Sequence, residues 1–299
     1  VDNQNPTAGT LTMKLNSTTG STYTSGNWTN QNVWIHKNDG SDNLSGHQST
    51  TYNVSGAETL NNQTADNTLQ TEGTYTLTVK TLDKVSNSST RGYTVKIDKT
   101  APTDVAPIAT ATTNSITATF KQTDSLSGIN NSSIQYAIKD GNSWSAWQTS
   151  NVFNNLTSGK EYQVKTKVSD NAGNSAESTA TKVTTTTLTA GTLNLKLINS
   201  TGANYTAGTW TNQNVYVTLN NGSAGTTTYA SVSGSAQSVA STTGATTIEA
   251  AGTTTLKVTT TDGTNTVNGK DYVIKIDKVV PTAGTLTMKK GSNTGATYS

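Results

Sequence analysis

Cysteine is absent from this chain, and its 299 residues hold only two histidines, two phenylalanines, two methionines and four prolines. Without cysteine there is no disulfide framework and no thiol nucleophile. The two histidines, His36 and His47, stand together early in the chain, without the clustered ligands a zinc site needs and without a nucleophile-elbow pattern nearby. No catalytic residue is therefore expected, and the chain reads as a non-enzyme. Charged residues are scarce too, at 13% with a net charge of +2. No basic cluster exceeds two residues, so the electrostatic footprint of a nucleic-acid binder is missing. No apolar run approaches the roughly 18 residues that span a bilayer, and no membrane insertion is expected in this segment. Any signal peptide or anchor is expected to lie outside it.

Polarity here comes from uncharged side chains: 64 threonines, 32 asparagines and 25 glycines. Low charge sets the chain apart from disordered sequences, which combine low hydrophobicity with high net charge. Threonine is β-branched and fits a pleated surface, while Asn-Gly and Ser-Gly pairs punctuate it with turns. The composition is that of an all-β protein.

An internal repeat organises it. Residues 7–37, "TAGTLTMKLNSTTGSTYTSGNWTNQNVWIHK", match residues 189–219 at 18 of 31 positions without a gap. "GYTVKIDKTAPT" at Gly92 likewise matches "DYVIKIDKVVPT" at Asp271, and "TAGTLTMK" returns at Thr282. A second pattern, Val/Ile-Asp-x-x-x-Pro-Thr, recurs at Val1, Ile97 and Ile276. It reads as a strand end followed by a stiff linker, because proline cannot donate to a ladder and holds its predecessor extended. The expected division is residues 1–6 as the tail of a preceding domain, domains at 7–100, 101–187 and 188–280, and the start of a further repeat at 281–299. The chain is thus expected to be a window on a longer tandem array.

Alternating apolar residues mark half-buried strands at Tyr75, Leu77, Val79 and at Tyr93, Val95, Ile97, with copies at Leu256, Val258 and at Tyr272, Ile274, Ile276. The middle unit carries "LTSGKEYQVKTKV", which resembles the tyrosine corner and following strand of fibronectin type III domains through Leu156, Gly159, Tyr162, Val164 and Val168. The tryptophan that family places early is absent, and Phe120 is its nearest substitute. The outer units resemble bacterial immunoglobulin-like repeats. Shared turns tie the units together: "DNLSGH" at Asp42, "DSLSGI" at Asp124 and a degenerate "NGSAGT" at Asn221, then "DKVSN" at Asp83, "DNAGN" at Asp170 and "DGTNT" at Asp262. These resemblances imply three tandem antiparallel β-sandwiches.

Two sets of side chains are candidates for binding. Asp2, Asp98 and Asp277 lie at the linkers, and Asp83, Asp170 and Asp262 lie in loops that could face them, where a hard cation such as calcium could bind. Calcium takes about six to eight oxygens, against some two carboxylates expected per joint. Turn chemistry, with each side chain accepting from its own backbone two residues on, is the plainer account, and no cofactor is expected. Trp34 and Tyr216 occupy matched positions and point outward by alternation, where they could stack on a sugar ring or cover a neighbour. Trp28 and Trp210 read as core or edge packing, and alternation through "WSAW" places Trp144 and Trp147 on opposite faces. Lys14, Lys196, Lys96 and Lys275 all count outward, which argues against an internal Lys-Asn cross-link.

The expected role is an extracellular spacer on a bacterial or phage surface, projecting a distal domain. With about 40 Å per sandwich, three would reach something like 120 Å. The expected partners are neighbouring repeats of the same chain, with a surface glycan or a host protein as further possibilities. Two rivals remain: the repeats act as adhesin or carbohydrate-binding modules, or they are an accessory region of a secreted glycan-degrading enzyme.

Overall fold

The structure, a computed structural model, describes every residue except Gly295, Tyr298 and Ser299, so those positions of the expected further repeat lie outside the described residues. Among the described residues it is all-β, with a single 3-10 turn at Asn131–Ser133. By compactness it forms two units, Val1–Asn154 with Glu161–Thr184, and Asn155–Lys160 with Thr185–Ser299.

The first sandwich, in the former unit, is built from β1 (Thr10–Leu15), β2 (Trp28–Thr29), β3 (Val33–Asn38), β4 (His47–Gly56), β5 (Leu60–Gln63), β6 (Asn67–Leu69), β7 (Gly73–Asp83) and β8 (Ser88–Ile97). One sheet runs β1-β3-β6 and the other β2-β8-β7-β4-β5. All pairings are antiparallel except β2 with β8, a two-residue parallel contact of Trp28 with Lys96 and Thr29 with Ile97. Alternation does what the sequence implied: Tyr75, Leu77, Val79, Val95 and Ile97 are fully buried against Val33, Ile35 and Leu69. Tyr93 is only partly buried at the rim.

The second sandwich comprises β9 (Ile108–Ala111), β10 (Ile116–Thr119), β11 (Gln135–Asp140), β12 (Ser143–Trp144), β13 (Val152–Phe153), β14 (Glu161–Ser169), β15 (Ser175–Glu177) and β16 (Thr181–Thr184). Its sheets are β13-β10-β9 and β12-β11-β14-β15, with β16 also on β14. Tyr162, Val164 and Val168 point into the core, as the fibronectin-like string implied. Phe120 does not replace the missing tryptophan: it leaves the strand half-exposed after Thr119, and Phe153 is the phenylalanine buried in the core, with Tyr136 and Tyr162.

The third sandwich, in the other unit, repeats the first with β17 (Thr192–Leu197), β18 (Trp210–Thr211), β19 (Val215–Asn220), β20 (Thr226–Ser231), β21 (Thr246–Ile248), β22 (Gly252–Thr261) and β23 (Thr266–Ile276). Its sheets run β17-β19-β21 and β18-β23-β22-β20. Leu193, Leu195, Val215, Val217, Ile274 and Ile276 take the core places of Leu11, Met13, Val33, Ile35, Val95 and Ile97. In the following segment Leu286 and Met288, matched to Leu11 and Met13 by sequence, are 84% and 53% exposed, because no sheet covers them among the described residues.

Threonine also works inside. Thr81 Oγ1 accepts the Gly9 N–H at 2.9 Å and lies 3.1 Å from Thr50 Oγ1, which accepts the Gly40 N–H at 3.1 Å. Thr260 and Thr227 repeat this with Gly191 and Gly222 at 3.0 Å each and 2.9 Å between hydroxyls. The glycines are needed, since a Cβ at Gly40 or Gly222 would fall 2.2 or 2.1 Å from the carbonyl oxygen of Thr7 or Thr189. Buried hydroxyls thereby satisfy backbone amides where the linker enters the first and third sandwiches.

Candidate functional site: carboxylate joints and aromatic faces

The linker pattern and the shared turns converge. Asp2, Asp42 and Asp83 form one group whose carboxylate oxygens lie within 4.8 Å of one another, and Asp98, Asp124 and Asp170 form a second. Each of these two joints therefore gathers three carboxylates where the sequence reading counted two. The missing members, Asp42 and Asp124, were visible in the shared "DNLSG" and "DSLSG" turns.

Every one of these aspartates caps its own turn. Asp2, Asp42, Asp83, Asp98, Asp124 and Asp170 accept from the backbone N–H two residues on, at 2.9 to 3.1 Å. The turn chemistry read from the sequence is thus present at each position. The groups also tie linker to loop. Asp98 Oδ2 accepts the Ser127 N–H at 2.9 Å, and Asn174 Nδ2 donates to the carbonyl oxygens of Asp98 and Thr100 at 3.0 and 3.3 Å and to Asp170 Oδ2 at 2.7 Å. At the N-terminal joint Asp2 Oδ2 accepts from Ser45 at 3.0 Å, while Asn87 Nδ2 donates to the Asp2 carbonyl at 3.3 Å and to Asp83 Oδ2 at 2.7 Å. The wiring is the same.

Asp83, Asp98 and Asp170 are buried, and among the described residues no ion pair reaches either group. Burial of Asp83 opposes its ionisation, but donation from the Asn87 side chain and from the Val85 and Asn87 amides outweighs it and holds the carboxyl below its usual range. Gln4 and Ser45 do the same for Asp2. These six side chains are the ones that could hold a hard cation, with remaining oxygens drawn from carbonyls and water.

Asp262 and Asp277 join no such group among the described residues. Asp262 accepts from Thr264 and Asn265 at 3.0 and 2.7 Å, and Asp277 from Val279 at 2.9 Å. The third sandwich has also lost the turn that carries Asp42. Ser223 matches Ser41, since each bonds the threonine before its sandwich, and Gly225 matches Gly46, so Asp42–Ser45 shrinks to Ala224 alone. The "NGSAGT" string is therefore a shortened turn and not a degenerate copy of "DNLSGH". Asn265 takes the place of Asn87 and Asn174, but bonds the Leu156 carbonyl and the Ser158 N–H at 3.0 and 3.1 Å.

Trp34 and Tyr216 face outward, in register with Lys14 and Thr68, and with Lys196 and Thr247. Trp34 stacks on His36 at 5.7 Å, and His36 Nδ1 meets Asp66 Oδ1 at 2.7 Å. The two indoles of "WSAW" share one face, contrary to strict alternation: Lys165 Nζ sits 4.6 Å from the Trp144 ring and 5.0 Å from the Trp147 ring. Lys139 pairs with Trp144 but Tyr136 with Gln148, so the strand carries one extra residue between them. A bulge of this kind reverses the side-chain alternation. Trp28 and Trp210 lie at sheet edges beneath Lys96 and Lys275, not in the core.

No family model matches the chain, and no curated relative is found. Solved structures similar to it include the FN1-FN3 domains of chicken CNTN1, at 12% identity and a TM-score of 0.31, covering 91% of this chain and 98% of that one. A tetra-tandem repeat from the extending region of a large adhesion protein gives 13% identity and a TM-score of 0.35, covering 91% and 75%. The three N-terminal domains of the Highly Immunogenic Outer Capsid protein of bacteriophage RB49 give 12% and 0.33, covering 91% and 100%.

Proposed function

We propose that this region is a spacer of an extracellular surface protein, on a cell or virion, whose task is to hold a distal domain at a set distance. The observation that carries the reading is the joint: Asp98 and the Asn174 side chain bind linker and following loops together, and the same wiring stands ready around Asp2 and Asn87. A flexible tether needs no such bonds, whereas a spacer transmits position only if its joints are fixed. The absence of native cysteine makes the test direct. Spin labels placed through Thr59→Cys and Ser143→Cys, both exposed, should give a narrow distance distribution that broadens when Asp98→Ala and Asn174→Ala are added. A distribution already broad in the parent chain would remove the basis for a spacer.

A second reading, in which the repeats themselves bind, is favoured by the outward Trp34–His36 stack. Glycan-array binding that disappears with Trp34→Ala and Tyr216→Ala would support it.

A further inference from the structure

The third sandwich carries a concavity whose place follows from the sheet topology. Strand β17 is the edge of one sheet. In the facing sheet, β18 pairs only with Lys275 and Ile276 of β23 and leaves Lys270–Tyr272 without an outer neighbour. The seam between the sheets is therefore open at this level. The segment Asn204–Ala207 closes one end, anchored by the Tyr205 N–H on the Leu195 carbonyl at 2.9 Å and by the Lys275 N–H on Tyr205 Oη at 2.9 Å. The result is a pocket of about 260 Å³ whose lining includes Asn194, Asn204, Tyr205, Lys270 and Tyr272.

We propose that this pocket binds a carboxylate-bearing pyranose, a uronic acid residue of a polysaccharide. Its volume falls below the roughly 300–1,000 Å³ of pockets that take drug-sized ligands, which suits one sugar ring. Lys270 Nζ lies 4.9 Å from the centre of the Tyr272 ring, and no carboxylate pairs with it among the described residues. An ammonium held on a ring face is a placed cation still able to accept an anion. Asn194 and Asn204 are exposed at the rim, and each amide offers both a donor and an acceptor, the pairing that sugar hydroxyls require. The Tyr205 hydroxyl is already engaged, donating to the Thr209 carbonyl at 2.5 Å, so this residue offers its ring as an apolar wall.

The first sandwich is the internal control. Thr12, Thr22 and Arg91 stand where the third has Asn194, Asn204 and Lys270. There the Leu11 N–H donates to Tyr93 Oη at 3.2 Å and bridges the seam. No bond joins Leu193 to Tyr272 among the described residues. Between the two copies, both amides and the seam left unbridged between Leu193 and Tyr272 belong to the third sandwich.

The test is an NMR titration of the 299-residue chain with methyl β-D-glucuronide, methyl β-D-glucoside and sodium acetate. The glucuronide should shift the Asn194 and Asn204 side-chain amides at millimolar concentration, with the glucoside at least about ten-fold weaker and acetate without effect at those amides. Lys270→Ala should reduce the glucuronide to the level of the glucoside, and Lys270→Arg should restore the preference. Asn194→Leu should weaken both sugars. No shift at the two amides, the same shifts with acetate, or an unchanged preference in Lys270→Ala would overturn the proposal while leaving the spacer reading standing.

Discussion

Asn174 is the side chain on which the joint between the first two sandwiches most depends, so Asn174→Ala is the most informative single change. One amide nitrogen serves three acceptors, at 2.7 Å on the Asp170 carboxylate and at 3.0 and 3.3 Å on the Asp98 and Thr100 carbonyls. A hydrogen bond to a charged partner contributes roughly 1.5–3 kcal/mol and a neutral one roughly 0.5–1.5 kcal/mol. Two N–H groups cannot satisfy three acceptors fully, and Asn174 is half-exposed, so water replaces part of what is lost. The expected cost is about 2 kcal/mol. For a domain of 60–100 residues, each kcal/mol lowers Tm by about 4–8 °C, so scanning calorimetry of the whole chain should show a fall of about 10 °C in the transition that contains this joint. Asn174→Asp should cost more, because it adds a fourth negative charge to Asp98, Asp124 and Asp170. A shift under about 2 °C for Asn174→Ala, or an Asn174→Asp variant more stable than the alanine, would refute the claim that this amide holds the joint.

Thr81→Val and Thr260→Val each leave a buried glycine N–H without its acceptor and should each cost about 1–3 kcal/mol in urea denaturation; a cost in one copy only would contradict their equivalence. The folded-state pKa values of Asp2 and Asp83 are depressed, so their contribution is present above the unfolded value near 3.8 and is lost as pH falls through the folded value. The urea midpoint should accordingly decline below about pH 4, less steeply in Asp83→Asn, and a midpoint that rises on acidification would reverse the assignment. Because every joint carboxylate already caps its own turn, a chelator should lower Tm by less than about 10 °C; a larger drop would assign the triads to a bound cation by mass action. Lys14 and Lys196 donate to the Thr18 and Gly202 carbonyls, and Lys96 and Lys275 lie over indoles. The intact mass should therefore equal the sequence mass, and a mass lighter by one ammonia per module would show a cross-link.

Much of the fold was legible because a β-strand writes its burial every second residue. Leu77, Val79, Val95 and Ile97, with Val258, Ile274 and Ile276, are buried as alternation required. The period fails where the backbone changes phase. The bulge between Trp144 and Gln148 has no residue signature in "WSAW", so alternation places on opposite faces two indoles that a single extra residue brings to one. Phe120 misled for a related reason, since the alternation of "NSITATF" continues one residue past the last ladder bond of β10 at Thr119. The joints were half legible. Asp83 and Asp98 could be singled out as recurring, but the convergence of Asp124 with Asp98 and Asp170 is a contact between segments far apart in the chain, which only the packing of the two sandwiches brings about. The pocket at Asn194 could not be read at all, since nothing in sequence marks a ladder that ends early on one side.

The third sandwich shows which of these features is constrained by folding and which by the neighbour. Its core positions repeat those of the first almost residue for residue, and so does its threonine–glycine pair. Both are set by requirements internal to one module, namely close packing and a satisfied amide. The joint is different. Thr184 stands where Asp98 and Asp277 do in the linker pattern, and the turn of Asp42 is cut to Ala224, while Asn265 keeps its place with new partners in Leu156 and Ser158. Two of three acids have gone together. Removing one member of a converging set changes what the others must tolerate, because a buried carboxylate stays ionised only with enough donors around it. Joint loss of the linker acid and the turn acid is what such coupling demands. Sensitivity of stability to a cation should therefore sit at the joints of Asp2 and Asp98, where three carboxylates converge, and sensitivity to pH at Asp2 and Asp83, whose pKa values are depressed.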